Sequence, residues 1–212
     1  MLILASGSPR RRRLLACLGL PFRVVVPDVD EDAPSAADLT PEEMAETLAT
    51  AKALSIAQRQ HDGLVLAADT LVVDGETVLG KPRHGEEAAG MLRRLRDREH
   101  RVITGLALVD ASRPHLSLVD HVTTAVRMRP YSDDETAAYI TRGEPFDKAG
   151  AYAIQDEAFH PVASYNGCYC NVVGLPPRAV IRILRRVGLD ITDEHLARLP
   201  TDCRNCPALI WA

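Results

Sequence analysis

The stretch Leu2-Ile3-Leu4-Ala5-Ser6-Gly7-Ser8-Pro9-Arg10-Arg11 sets the architecture. Four consecutive apolar residues followed by small ones read as a short buried strand that leaves through a tight loop. Ser8 has the side chain of a helix N-cap and Pro9 the fixed φ of a first helical position, so a helix opens there, and Gly19 closes it. A buried strand feeding straight into a helix is the repeating unit of α/β sheets. Outward from it, Phe22 to Val26 reads as a second strand and ends in an acidic loop through Pro34. Thr40-Pro41-Glu42-Glu43 is a capping box opening a helix to about Gln60. Leu64 to Ala68 is an apolar strand, and Leu71-Val72-Val73 with Glu76-Thr77-Val78 forms a hairpin around Asp74-Gly75. A helix from Glu86 to Arg98 precedes strands from Arg101 to Val109 and from His115 to Arg129. Ser132-Asp133-Asp134-Glu135 caps another helix, Val162 to Val173 reads as a hairpin through Asn166-Gly167, and Pro177 to Val187 is a further helix. Interspersed helices, strands and hairpins predict an α/β class with a mixed, twisted sheet.

The chain of 212 residues can bury a core without a disulfide or metal staple. No apolar run approaches the roughly 20 residues of a membrane span, and Leu2 to Ala5 is too short for a signal peptide, so a cytoplasmic protein without a membrane partner is expected. A net charge of −4 argues against binding a nucleic-acid polymer. Basic runs (Arg10 to Arg13, Arg93 to Arg101) nevertheless alternate with acidic ones (Asp28 to Asp32, Asp133 to Glu135), a pattern suited to an anionic substrate held with a divalent cation. Lysine occurs only at Lys52, Lys81 and Lys148, and arginine supplies the rest of the 25 cationic side chains. Lysine retained against that bias marks places where a compact ammonium is needed, unless chance and codon usage placed it.

The loop Ser6-Gly7-Ser8 offers hydroxyls and helix-start N–H groups beside Arg10 and Arg11, a phosphate-binding pattern that an ordinary capped helix with a solvated basic face shares. The acidic stretch Asp28-Val29-Asp30-Glu31-Asp32 has hard carboxylates for Mg²⁺, or is a solvated loop. Asp69, read as standing at the end of its apolar strand, is a candidate metal ligand or general base, or opens an Asx-turn. Met44, Leu48 and Lys52 fall at i, i+4 and i+8, so Lys52 continues an apolar helix face, from which it reaches inward or snorkels. Leu79-Gly80-Lys81-Pro82 fixes the backbone around one cation.

Five motifs in order resemble those of the Maf family: Ala5 to Arg11; Ala68-Asp69-Thr70; Leu79-Gly80-Lys81-Pro82; Asp147-Lys148-Ala149-Gly150-Ala151-Tyr152 with Ile154-Gln155; and Val172-Val173-Gly174-Leu175-Pro176. The resemblance spans residues 1–188 and leaves 189–212 as a C-terminal extension of weaker periodicity. It implies a two-lobed single domain with a central nucleotide-binding cleft, often a homodimer, that cleaves a nucleoside triphosphate to monophosphate and pyrophosphate with Mg²⁺ or Mn²⁺. By matching positions it implies Asp69 as general base, Glu31 and Asp69 as metal ligands, and Ser8, Arg11, Lys52, Lys81 and Lys148 around the phosphates. Arg10, Thr70 and Gln155 match the branch acting on dTTP and UTP. That branch has a glycine-rich turn after the glutamine, where this chain reads Asp156-Glu157-Ala158-Phe159, which would bring two carboxylates beside the base pocket. A rival reading is a nucleotide-sensing regulator of septum formation and cell division with little or no turnover; an intact Glu31, Lys52, Asp69 and Lys81 favours the enzyme.

Cys168-Tyr169-Cys170 and Cys203-Arg204-Asn205-Cys206 pair four thiols that could form a structural zinc site, a disulfide or no link at all. A strand points the two thiols of C-x-C to opposite faces, so convergence would need a bend there. None of the seven histidines has metal-ligand spacing.

Overall fold

The computed structural model describes residues 1–29 and 39–204. The elements are β1 (Leu2–Ala5), α1 (Pro9–Ala16), β2 (Phe22–Val25), α2 (Pro41–Ala57), β3 (Leu64–Asp74), β4 (Thr77–Leu79), α3 (Gly85–Leu95), β5 (Glu99–Asp110), β6 (Ser117–Met128), α4 (Asp133–Thr141), β7 (Val162–Asn166), α5 (Tyr169–Val173), α6 (Pro177–Arg186), α7 (Asp193–Ala197) and α8 (Thr201–Arg204). Two single 3₁₀ turns, Glu144–Asp147 and Ala149–Ala151, lie between α4 and β7. One mixed sheet runs β2-β1-β3-β5-β6-β7, with β4 beside β3. β1 is parallel to β2 and β3, and every other pairing is antiparallel. The expected caps form: Ser8, Thr40 and Ser132 each accept a hydrogen bond from the N–H three residues on, and Glu43 and Glu135 reach back to complete two capping boxes.

β3 shows how this sheet makes a site. Side chains alternate across a strand. Leu64, Leu66 and Ala68 enter a cluster with Leu15, Leu106 and Leu184 on one face, whereas Val65 and Ala67 enter a cluster with Ala49, Ala53 and Ile56 of α2 on the other. Further along, Val72 joins a third cluster with Leu92, Tyr131 and Phe159, and Leu71 and Val73 join a fourth with Ala45 and Leu48. Between these apolar blocks stand Asp69 and Thr70, one on each face. On the edge away from β5, β1 covers Leu64 to Ala67 and β4 covers Val72 to Asp74, so neither pairs with the segment 68–71. The cleft opens at that gap, beside the carboxyl end of β1, the usual ligand position in an open α/β sheet.

Two expectations are corrected. Asp69 is not at a strand end: β5 pairs with β3 without a break from Leu64 to Val73, so the strand carries the carboxylate through its middle. The second hairpin is absent: β7 stops at Asn166, and Gly167 (φ +133°) turns the chain into α5. The Thr124 hydroxyl accepts from the Cys168 N–H and donates to the Cys168 carbonyl, at 3.0 and 3.2 Å, and this anchors the helix start. Within the C-terminal extension, Ile191, Leu199 and Cys203 are buried in the cluster around Leu15 and Leu184. Among the described residues, no helix is long and apolar enough to cross a membrane.

His100 on β5 is buried, and its Nε2 lies 2.8 Å from the hydroxyl of Tyr152, a residue of the cleft wall. Burial pushes the imidazole down to about 4 despite the opposing pull of Asp74. The unfolded chain therefore binds a proton near pH 6.5 that the folded protein refuses until about pH 4, and acid across that window destabilises the fold. The contribution is complete above pH 6.5, and roughly 3 kcal/mol of it is lost by pH 4. Thermal melts of His100→Gln should fall less steeply than wild type between pH 6.5 and 4; parallel slopes would disprove the assignment.

Candidate active site

A cleft of about 680 Å³ lies over the gap in the sheet, a size that suits a nucleotide. Its floor is an ion pair. Lys52 Nζ of α2 stands 2.5 Å from Asp69 Oδ1 of β3, with residue exposures of 4% and 8%. Lys52 reaches that point because α2 lies hard against the sheet. Opposite Asp69 in register is Gly105 of β5, and a Cβ there would come within 2.3 Å of the Ala45 carbonyl carbon. Glycine inside a strand commonly marks such a close backbone approach.

The wall beside the carboxyl end of β1 carries Ser8, Arg10 and Arg11. Ser8 is the N-cap of α1, and Ser6 Oγ accepts from the Ser8 N–H at 3.1 Å, which fixes the loop. Arg11 Nε donates to the Gly174 carbonyl at 2.8 Å and Nη2 to Thr70 Oγ1 at 3.0 Å. Arg10 crosses the cleft and binds Asp147, with Nη1 to Oδ2 at 2.8 Å and Nη2 to the carbonyl at 3.2 Å. Lys148 turns back onto its own segment, donating to Asp147 Oδ1 (2.6 Å), Glu144 Oε2 (3.3 Å) and the Glu144 carbonyl, which matches its three ammonium protons. Burial would raise the Asp147 carboxyl, but hydrogen bonds from Lys148 and Arg10 outweigh it and hold the group below its usual range.

Lys81 is exposed on the rim. The Gly150 N–H donates to the Gly80 carbonyl at 3.0 Å and ties that turn to the Lys148 segment. Gln155 lines the same cleft and is exposed. Asp156 faces elsewhere: its Oδ1 takes Arg142 at 2.9 Å and the Phe159 N–H at 2.7 Å, which lowers its carboxyl against the opposing effect of burial. Neither Asp156 nor Glu157 lines the cleft, so the expected carboxylates beside a base pocket are not found there.

Ser8, Arg10, Arg11, Lys52, Asp69, Thr70, Lys81, Lys148 and Gln155 thus share one cavity. Glu31 lies outside the described residues. So does Cys206, while Cys168, Cys170 and Cys203 meet in the interior beneath α8. Hydrogen bonding to Cys168 and Cys203, then burial, pushes the Cys170 thiol far above its usual range. Among the described residues no group of three or more His, Cys, Asp or Glu side chains is arranged to hold a metal ion. Sequence reading missed Gly105, Thr104, Asn171, Gly174 and Asp147 as site-building residues. Gly105 carried a usable signal, a glycine inside an otherwise apolar strand; Asp147 and Gly174 stood in quoted motifs without a role.

The profile of the family described as "Maf-like protein" matches residues 1–187. A protein of Thermomicrobium roseum is 51% identical over 206 residues, covering 97% of this chain and 93% of its own length. One of Symbiobacterium thermophilum is 49% identical, covering 90% of this chain and 95% of its own. One of Pelotomaculum thermopropionicum is 46% identical, covering 90% and 98%. Each of the three is named dTTP/UTP pyrophosphatase. Among solved structures, a HAM1 protein from Coxiella burnetii aligns with 61% of this chain and 73% of its own at 18% identity and a TM-score of 0.45.

Proposed function

This chain belongs to the Maf-like family, and from that premise we propose that it hydrolyses dTTP and UTP to the monophosphate and pyrophosphate. The observation that carries the proposal is the Asp69–Lys52 pair on the cleft floor, with Arg11 and Lys81 lining the same cavity. In the reaction, the oxygen of a water attacks the α-phosphorus and the bond to the bridging oxygen breaks. Pyrophosphate departs with that electron pair, and the water's proton passes to the Asp69 carboxylate. Lys52 holds Asp69 oriented by its direct contact. Arg11 and Lys81 stabilise charge on the equatorial and leaving oxygens, where fixed cations contribute most to phosphoryl transfer. Arg10, Thr70 and Gln155 carry the choice of base, and Ser8 and Lys148 shape the phosphate side. The two lobes of the domain are the cleft walls bearing Arg10 and Asp147.

The donor chemistry fits Mg²⁺ or Mn²⁺. Asp69 Oδ1 takes Lys52, and its second oxygen accepts no hydrogen bond from the described residues, so a hard carboxylate oxygen remains for a cation. Asp69 with Glu31 would hold the ion, which would supply further neutralisation of triphosphate charge when bound.

The test is to incubate the purified protein with each common and methylated nucleoside triphosphate, with Mg²⁺ or Mn²⁺, and to resolve the products by chromatography. Pyrophosphate released chiefly from dTTP and UTP supports the proposal. Binding without release would favour the sensing regulator instead, and sedimentation of the same preparation reads the proposed homodimer. Lys81→Arg, which keeps the charge but not the compact ammonium, should lower kcat/KM about 10- to 100-fold. Wild-type kinetics in that variant would show that any cation suffices at the rim.

A further inference from the structure

We infer that Thr104, outside every motif of the site, is a positioning residue for Arg11, acting through a one-way chain of hydrogen bonds that starts at the guanidinium and ends on the Asn171 carbonyl. The inference rests on Arg11 gripping phosphate as proposed above. The direction of the chain follows from counting protons. A hydroxyl has one proton to give and two lone pairs to receive with. Thr104 Oγ1 stands 3.0 Å from the Asn171 carbonyl, which only accepts, so its proton is committed there. The hydroxyls of Thr70 and Thr104 are 2.9 Å apart, and with the Thr104 proton in use Thr70 must be the donor. Thr70 in turn accepts from Arg11 Nη2 at 3.0 Å.

The order Arg11 → Thr70 → Thr104 → Asn171 aligns each O–H dipole away from the cation and toward a carbonyl, so the bonds polarise one another in the same sense. The frame beneath is rigid. Thr70 and Thr104 are direct partners across β3 and β5, and both Thr104 and Asn171 are fully buried. Asn171 Nδ2 donates to the Val102 carbonyl and to Thr124 Oγ1, each at 2.9 Å, which fixes α5 on β5 and β6. Gly174 supplies the second anchor. Its carbonyl takes Arg11 Nε, and its φ of +121° is a backbone conformation that residues with a side chain rarely adopt.

The chain also bears on Thr70. With its proton spent on Thr104, Thr70 has none to give a nucleobase carbonyl and can meet a base only through its remaining lone pair.

The test is a double-mutant cycle read on binding. Thr104→Val keeps the branched shape of the strand residue and removes the hydroxyl. It should weaken binding of α,β-imido-dTTP about 5- to 20-fold in the otherwise wild-type protein and less than about twofold in the Arg11→Ala background. Thr104→Ser should return affinity to within about threefold of wild type. An equal loss in both backgrounds, or no loss in either, overturns the inference.

A second readout needs no nucleotide. Solvent exchange of the Arg11 Nε–H, followed by ¹⁵N-edited NMR of the unliganded protein, should be about tenfold faster in Thr104→Val and restored in Thr104→Ser. Unchanged exchange overturns the positioning role even where binding is altered. Should the wild type bind no triphosphate, the functional reading fails by itself, and the exchange rates still decide whether Thr104 holds Arg11.

Discussion

Asp69→Asn should hydrolyse dTTP at least about a thousandfold more slowly than wild type, with α,β-imido-dTTP binding changed by less than about fivefold. The amide keeps an oxygen where Lys52 Nζ now meets Oδ1 at 2.5 Å, so the geometry of the floor is conserved. What disappears is the negative charge, and with it both the proton acceptor for water and the hard oxygen for a cation. Because the pair is buried, the exchange of an ion pair for an ion–dipole contact should also lower thermal stability. Single-turnover rates and melting curves on the same preparation separate the two effects. Turnover within tenfold of wild type would remove Asp69 from the chemistry, whatever the melting point.

Gly105→Ala should be the most damaging change that adds a single methyl group. Its Cβ would be placed 2.3 Å from the Ala45 carbonyl carbon and 2.4 Å from its oxygen, and the backbone of α2 can only retreat. Overpacking of this kind costs about 3 kcal/mol or more, which corresponds to roughly 6–12 °C in melting temperature for a chain of this size. The retreat also carries Lys52 away from Asp69, since both Ala45 and Lys52 ride on α2. Activity should therefore fall by about a hundredfold or more at temperatures where the variant remains folded. A variant that melts early yet turns over normally while folded would show that the approach of α2 serves packing alone.

Much of this was legible in the sequence because the signals were local. Ser8-Pro9, Thr40 with Glu43, and Ser132 with Glu135 are caps whose chemistry is contained in four residues, and all three form. The scarcity of lysine pointed to Lys52, Lys81 and Lys148, and all three line the cleft. Failures came where a distant partner decides the conformation. Nothing near Asp69 in sequence shows that β5 pairs straight past it, and Asn166-Gly167, a sound turn signal, leads into a helix because Thr124, more than forty residues earlier, holds Cys168. The tail shows weak periodicity because Ile191, Leu199 and Cys203 are too widely spaced to give a period, although all three are buried in one core cluster. Thr104 and Asn171 were invisible for a different reason: a buried hydroxyl and amide have meaning only through the atoms they meet.

β3 and β5 are paired over ten consecutive positions, and Asp69 falls near the middle of that run. A ladder of this length bends as a beam bends, with its ends swinging and its centre nearly still. The walls bearing Arg10 and Asp147 meet across the cleft through one arginine, at 2.8 and 3.2 Å, a far smaller contact than that ladder. The carboxylate stands at the stillest point of that beam, and in the proposed reaction the phosphate chain comes to it.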